Sequence, residues 1–525
     1  MPRIRFFESD NTGSTPVSDF AGVFVPGTAP FVTSKDGLAK PDSNNCIYLP
    51  STTTNLSRYI KEETYSSDAP MNSYHMVEYL LSLGYGVVYK YVGDIAKEET
   101  SDREITYYIP VTGVTEENFS KFTLFTMDSA AGVKFEQADE FDDSASYFMS
   151  YESSESVLSD VDWSFLKDKN AYPIKFITAG PFGMVKVGLG TSQDTQKYSF
   201  DFSLVNSLQK VATERKDCTI LVDLDYAGVS TKLAGSGNEL VSDFKKALQS
   251  DGFELPNELK QDMNTSIYYV EKGIVSPLET KDLSAISNEF NKTDTSDMNH
   301  IDTVGSRCAA LVPNCTMNYN TFDITVPSSF VYLYDFETQG SQTSVWLPMS
   351  GVNRGVVGSV FTPDLEISKY LMDTDIITDD EGISFNAVVN VRPYGDTIWG
   401  DRTLLAQEKG RGVQATSYLS IRNLISDIAT TAYNSAIRNT YETNNDVTWF
   451  NFKQEIVTLL DQMVSSGVLQ TYKIGRTTTP PAGVNMSERN SIFCVITLYP
   501  NLPVENFTIS TNLENAEITV SDSEN

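Results

Sequence analysis

Histidine is the scarcest chemical resource in this chain: two residues, His75 and His300, serve 525 positions. A histidine-based nucleophile, proton relay or metal centre would have to be built around one of them, and both lie in polar, unpatterned stretches. Cysteine is nearly as sparse. Cys46, Cys218, Cys308, Cys315 and Cys494 are odd in number and contain no Cys-x-x-Cys spacing, so they predict reduced structural thiols and neither a disulfide framework nor a zinc cluster. A Gly-x-x-x-x-Gly-Lys-Ser/Thr loop is absent, and Gly188-Leu189-Gly190 and Gly235-Ser236-Gly237 lack the rest of a dinucleotide fingerprint, so turns explain them. No cofactor or metal is expected. No apolar run approaches the roughly 18 residues that cross a bilayer, and Met1 to Glu8 holds no apolar core of a secretion signal. The expectation is a protein made and kept in a cytoplasm, without membrane insertion. Positive charge is also in deficit. Lys and Arg number 39 against 70 Asp and Glu, a net −31, which repels phosphate backbones and argues against a nucleic-acid partner.

What is present is ample apolar material: 40% of residues are hydrophobic and 21% charged, enough for substantial cores. At about 150 residues per domain, the length suggests three or four domains' worth of chain. Phe20 to Val25 reads as a buried strand stopped at Pro26-Gly27. The spacing of Met76, Tyr79, Leu80 and Leu83 predicts a helix over Ser73 to Leu83, started by Asn72 and closed by Gly84, running into a β-branched strand at Gly86 to Val92. Further strands are expected at 173–177 and 219–223, with a helix between them at 204–214. This rhythm predicts an α/β class with a parallel or mixed sheet covered on both faces.

Residues 96–160 form an acidic stretch with Glu136, Asp139, Glu140, Asp142 and Asp143, and with strand-like runs at 105–109 and 122–125. It reads as a β-rich insertion with a solvated acidic face. About 275–305 is polar and reads as a linker. In the last third, Ile421, Leu424, Ile425, Ile428, Ala432 and Ala436 make one stripe of a helix near 417–439. Phe452, Ile456, Leu459, Leu460 and Met463 make a second helix near 447–465, ended by Gly467, and strands follow at 492–498 and 506–510. Asp223 and Asp225, at a strand end, fit either a magnesium pair or ordinary turn and capping chemistry, and without a phosphate loop the second is preferred. Both chain ends carry short β-prone runs beyond polar breaks, Ile4 to Phe7 before Gly13 and Ile518 to Val520 after Asn515.

The order of landmarks resembles the tail sheath family of contractile phage tails and related injection systems. It is carried by Val17 to Ala29, the helix ending in Leu83-Gly84 with its strand, Val326-Pro327-Ser328-Ser329, and Val345 to Gly351. The most specific part is Gly382-Ile383-Ser384 followed by Ile398-Trp399-Gly400-Asp401-Arg402-Thr403-Leu404. The family typically carries a Gly-Ile-Asn turn and then Trp-Gly-x-Arg-Thr-Leu; Ser384 departs from it, while Trp399, Gly400, Arg402, Thr403 and Leu404 match. The likeness is good over about 315–510, patchy over 17–230, and absent from the acidic insertion and about 235–310.

The resemblance implies an inner α/β domain built from both chain ends, with outward β-rich and α/β inserted domains. The divisions expected are an arm at 1–16, the first sheath part at 17–95, the insertion at 96–160, an outer α/β domain with linker at 161–314, the inner sheath domain at 315–514 and an arm at 515–525. It implies a non-enzymatic, contracting homo-oligomer of stacked hexameric rings around a tail tube protein, in contact with baseplate and tail terminator proteins. It would act in a virion tail, assembled in the host bacterial cytoplasm. Ile4, Arg5, Phe6, Phe7 and Ile518, Thr519, Val520 would add strands to sheets of neighbouring subunits. Arg422 and Arg438, off the apolar stripe, are candidate tube-facing residues. A sheath of an extracellular injection system or tailocin is the alternative, and an acidic cytosolic α/β enzyme is the reading from another class.

Overall fold

The computed structural model describes residues 22–33, 37–64, 71–93, 103–128, 133–155, 158, 161–189, 198–225, 237–249, 259–261, 267–271, 273–277, 307–340, 342–373, 384–405, 414–477 and 491–503. The fold is an α/β mixture organised on one eight-stranded sheet. Its strands are β1 (Gly22–Gly27), β2 (Cys46–Leu49), β3 (Gly86–Tyr91), β4 (Phe176–Ile177), β5 (Thr219–Val222), β6 (Cys308–Val312), β7 (Asn386–Val391) and β8 (Gly395–Trp399). The order across the sheet is β2-β3-β1-β4-β5-β6-β7-β8. The six inner strands are parallel to one another, and β2 and β8 close the two sides antiparallel.

Strand alternation splits the apolar side chains between two cores. Phe24, Ile220, Cys308 and Ala310 face one, while Val23, Val25, Leu221 and Ala309 face the other. The first core is covered by α2 (Ser203–Arg215) and α3 (Gly237–Gln249), the second by α1 (Ser73–Leu83) and α4 (Ser328–Gly340). Because both faces are covered, β1, β5 and β6 read as continuous apolar runs. The α1 ends follow their residues. The Asn72 side chain accepts the His75 N–H at 3.0 Å, and Gly84, with φ of 104°, lets its N–H reach back to the last carbonyls.

The acidic stretch supplies four strands of a seven-stranded antiparallel sheet, and Glu136, Asp139, Glu140, Asp142 and Asp143 are exposed on it. The expected divisions need correction on either side of it. Strands at 260–261, 268–271 and 274–277 pair into the insertion's sheet, whereas β4, β5 and β6 belong to the main sheet and not to an outer domain at 161–314. Periodicity reports local structure and is silent on which distant strands pair, so boundaries drawn from it fall between elements that the ladder joins. The strand expected at 122–125 forms at Phe125–Asp128, because Leu124 is drawn into the insertion's own core. Segments 278–306, 506–510 and 516–520 lie outside the described residues.

The C-terminal part adds α5 (Leu419–Arg438), α6 (Asp446–Ser465) and a hairpin of β9 (Leu469–Thr477) and β10 (Phe493–Pro500). They enclose a third core of Leu424, Ile428, Ile456, Leu459, Leu460 and Met463 around Trp346. Asn445 starts α6 by accepting the N–H groups of Val447 and Thr448 at 2.9 and 3.0 Å.

Candidate functional site

The sequence signature turns out to be a corner. Trp399 ends β8, donates its indole N–H to Asp373 at 2.6 Å and is covered by the Lys369 ammonium, 4.2 Å from the ring centre. Gly400 follows at a φ of 106°, and a Cβ there would come within 2.9 Å of the Asn386 side-chain oxygen. Asn386 occupies that space with three hydrogen bonds. Its amide nitrogen donates to the carbonyls of Ala310 at 3.0 Å and Arg402 at 2.9 Å, and its oxygen accepts the Arg402 N–H at 2.7 Å. Arg402 is buried with its guanidinium 4.6 Å from the Tyr418 ring centre.

Asp401 then starts α5, accepting the Ser420 N–H at 3.0 Å and hydroxyl at 2.5 Å while its own carbonyl takes the Leu419 N–H at 2.9 Å. Thr403 gives its N–H to the Ser417 carbonyl and its hydroxyl to the Thr416 carbonyl, and Leu404 gives its N–H to the carbonyl of Cys308, the first residue of β6. Five matched residues therefore weld β6, β7 and the start of α5 into one rigid corner. Gly382 and Ile383 lie outside the described residues, and Ser384 is buried.

A second weld lies about two turns along α5. Lys175, 5% exposed just before β4, pairs with Asp427 at 2.8 Å, and Asp427 also accepts the Trp346 indole N–H at 2.8 Å. The main sheet and the C-terminal helical pair are thus tied by a charged, hydrogen-bonded triad as well as by apolar contact.

The helical pair presents the β9–β10 hairpin. Tyr472, Ile474, Ile496 and Leu498 point into the third core, while Thr471, Lys473, Gly475, Val495, Thr497 and Tyr499 form an exposed outer face. Among the described residues the hairpin is a two-stranded sheet by itself, so both outer edges carry backbone groups without a strand beside them. Such edges accept an added strand. The sequence reading missed β9; its alternation of Tyr472 and Ile474 is offset from Leu469 by a register irregularity before Thr471.

The arm residues Ile4, Arg5, Phe6, Phe7, Ile518, Thr519 and Val520 lie outside the described residues, as does His300. The two arginines part company. Arg438 is exposed and paired with Glu455. Arg422 is 1% exposed, which corrects its assignment as tube-facing. The opening turns of α5, including Ser420, Asn423 and Ser426, are buried off the apolar stripe because the helix is wedged between the main sheet and the third core. A one-stripe helix reading cannot see that.

His75 also differs from its expected polar setting. It is buried on α1, shares a 2.6 Å contact with Asn72 and lies edge-on to Tyr74 and near Tyr319, and burial holds its pKa below the ordinary value. Asp223 and Asp225 point to different partners. Asp223 is buried, accepting the Met184 N–H at 2.8 Å and bonding Ser329, while Asp225 pairs with Lys186, as turn and capping chemistry would have it. Among the described residues, no three His, Cys, Asp or Glu side chains are placed to hold a metal ion, and no helix is long and apolar enough to cross a membrane.

No family model and no curated protein matches the chain. Solved structures do. A chain of the anti-feeding prophage baseplate is 11% identical with a TM-score of 0.47, covering 97% of this chain and 98% of that one. The anti-feeding prophage helical sheath in its contracted state is 10% identical with a TM-score of 0.45, covering 98% and 99%. A sheath tail protein from Desulfitobacterium hafniense is 7% identical with a TM-score of 0.40, covering 94% and 100%.

Proposed function

We propose that this chain is the subunit of a contractile tail sheath, polymerising around a tube and contracting to drive that tube through a target envelope. The observation that carries the reading is the β9–β10 hairpin. Among the described residues it is a two-stranded sheet with two open edges, mounted through α5 on the corner that the Trp399–Leu404 signature builds. A sheath must stay connected while its subunits slide. That needs a flexible link anchored to a rigid block, and here the rigid block and the open acceptor are adjacent.

The donors are the chain's own ends in neighbouring copies: Ile4 to Phe7 from one and Ile518 to Val520 from another. Each added strand contributes several backbone hydrogen bonds of about 0.5–1.5 kcal/mol net, repeated at every node of the lattice. Rings of six such subunits would stack on a tail tube protein between baseplate and terminator proteins, in a virion tail assembled in a bacterial cytoplasm. Exposed Arg438 is the remaining arginine for polar contact with the tube, a contact weak per subunit and multiplied by copy number. No reaction is assigned to the chain.

The experiment is truncation. Removing residues 1–12 and 515–525 should leave a folded, soluble monomer that forms no cylinders in negative-stain micrographs, where the full chain forms them. Cylinders that assemble and contract without both ends would place the link elsewhere.

A further inference from the structure

Lys175 and Asp427 meet where two cores come together. Among the described residues two lysines are buried, Lys90 and Lys175. The Lys90 ammonium turns to the Asn44 carbonyl at 2.7 Å, whereas that of Lys175 faces both oxygens of one carboxyl, Asp427 Oδ1 at 2.8 Å and Oδ2 at 3.0 Å. The two side chains are 6% and 17% exposed. On the lysine side, the ring centres of Phe336 and Phe176 lie 5.1 and 5.9 Å from Nζ, and both rings belong to the second core. On the aspartate side, Trp346 belongs to the third. Glu337, next to Phe336, feels the same ammonium and is itself pushed up by burial, a further sign that water is scarce here. An ion pair in such surroundings loses much of its hydration, so the neutral amine and acid draw closer to it in energy.

Neither partner is free to drift. The Lys175 N–H donates to the Gly22 carbonyl at 2.7 Å, and the Lys175 carbonyl accepts the Thr219 N–H at 2.9 Å, which fixes the residue between β1 and β5. Asp427 is set within α5, and the Trp346 indole N–H holds its Oδ2 at 2.8 Å. A nitrogen that touches both oxygens of a carboxyl lies about 3 Å from its carbon, the separation of a near-attack pair.

We propose that Lys175 and Asp427 react with each other, once per chain, to form an intramolecular amide bond between the main sheet and α5. One proton passes from the ammonium to Oδ1, leaving an amine and a carboxylic acid. The Nζ lone pair attacks Cγ, and the carbonyl electrons move onto Oδ2, where the Trp346 N–H meets the negative charge. The nitrogen gives a second proton to Oδ1, which leaves as water while Oδ2 returns to a carbonyl. One C–N bond forms, one C–O bond breaks and one water departs, with no oxidant or co-reactant. Hydrolysis is favoured in dilute water, but groups held in contact act at effective concentrations of roughly 10⁵–10⁸ M, and a site with little water resists the return. The product ties together residues 252 positions apart. Because the bond forms within one chain, an isolated subunit carries it whether or not subunits assemble.

Mass spectrometry of the unaltered full chain, purified as a monomer, tests this. Its intact mass should be one water below the sum of its residues. A tryptic digest should contain a branched peptide in which Lys175, no longer a cleavage site, is joined to the peptide carrying Asp427. Lys175→Arg keeps the charge but cannot close, so it should regain the water and lose the branched peptide. On denaturing gels it should also migrate apart from the unaltered chain, which stays looped. Full mass with normal cleavage after Lys175 would overturn the proposal. So would a missing water confined to one linear peptide, the mark of an aspartyl succinimide. Should Lys175→Arg not fold, the mass and peptide map of the unaltered chain decide alone.

Discussion

Replacing Asn386 by alanine tests whether the corner is held as described. The side chain is 1% exposed and makes three hydrogen bonds, two donated to the Ala310 and Arg402 carbonyls and one accepted from the Arg402 N–H. At about 1–1.5 kcal/mol per buried bond, the loss is about 3–4 kcal/mol, before any cost of leaving the partners unsatisfied. Since about 1.4 kcal/mol is tenfold in an equilibrium constant, local opening of the corner should increase by about two to three orders of magnitude. A chain with several cores will not melt in one step, so global melting is the wrong readout. Amide exchange at Arg402, Leu404 and the first turn of α5 reports the corner directly. Asn386→Asp is the companion variant: it keeps the acceptor for Arg402 but turns an oxygen toward two carbonyls, so it should open the corner at least as far. Less than about a tenfold change in Asn386→Ala, or a well-tolerated Asn386→Asp, would refute the three-bond account.

Two further outcomes follow from burial. Reversing Arg438 to glutamate should change stability by no more than about 1 kcal/mol, since the side chain is exposed, whereas Arg422→Glu should cost about 3 kcal/mol or more by burying an uncompensated charge. Equal effects in denaturation would contradict the placement of Arg422. Burial also raises the thiols, Cys218 and Cys494 to about 11, Cys46 and Cys308 to about 12, and Cys315 well above the ordinary thiol value. At pH 8 they hold their protons, so the native chain should react slowly with a disulfide reagent, first at half-exposed Cys494, and all five should react after denaturation. Rapid native labelling of Cys218 or Cys308 would show that the main sheet opens.

Much of the local structure was legible. Asn72 and Gly84 bracket α1 where the capping rules put them, and the stripe from Ile421 to Ile428 faces a core as its spacing predicts. The signature residues were found by resemblance, but their work was not readable, because it depends on Asn386, thirteen residues before Trp399 and unmarked by any pattern. Strand pairing was the larger gap. Nothing local in Phe176-Ile177 or Thr219 to Val222 says that they lie between β1 and β6. The burial of Arg422 was hidden for a related reason, since a helix wedged between two cores has no solvent side at that point.

The central place of β1 has a mechanical consequence. It pairs in parallel with β3 over six residues and with β4 on its other side, so it is clamped by ladders along both flanks. A pull on the chain ahead of Gly22, directed along the strand, would load those bonds side by side instead of peeling them one after another. Rupture then requires many bonds to fail together, and the sheet resists tension at that end far better than its modest thermodynamic stability would suggest. A strand at the rim has less protection: β2, whose one strand neighbour among the described residues is β3, could be unzipped bond by bond by a pull across the sheet.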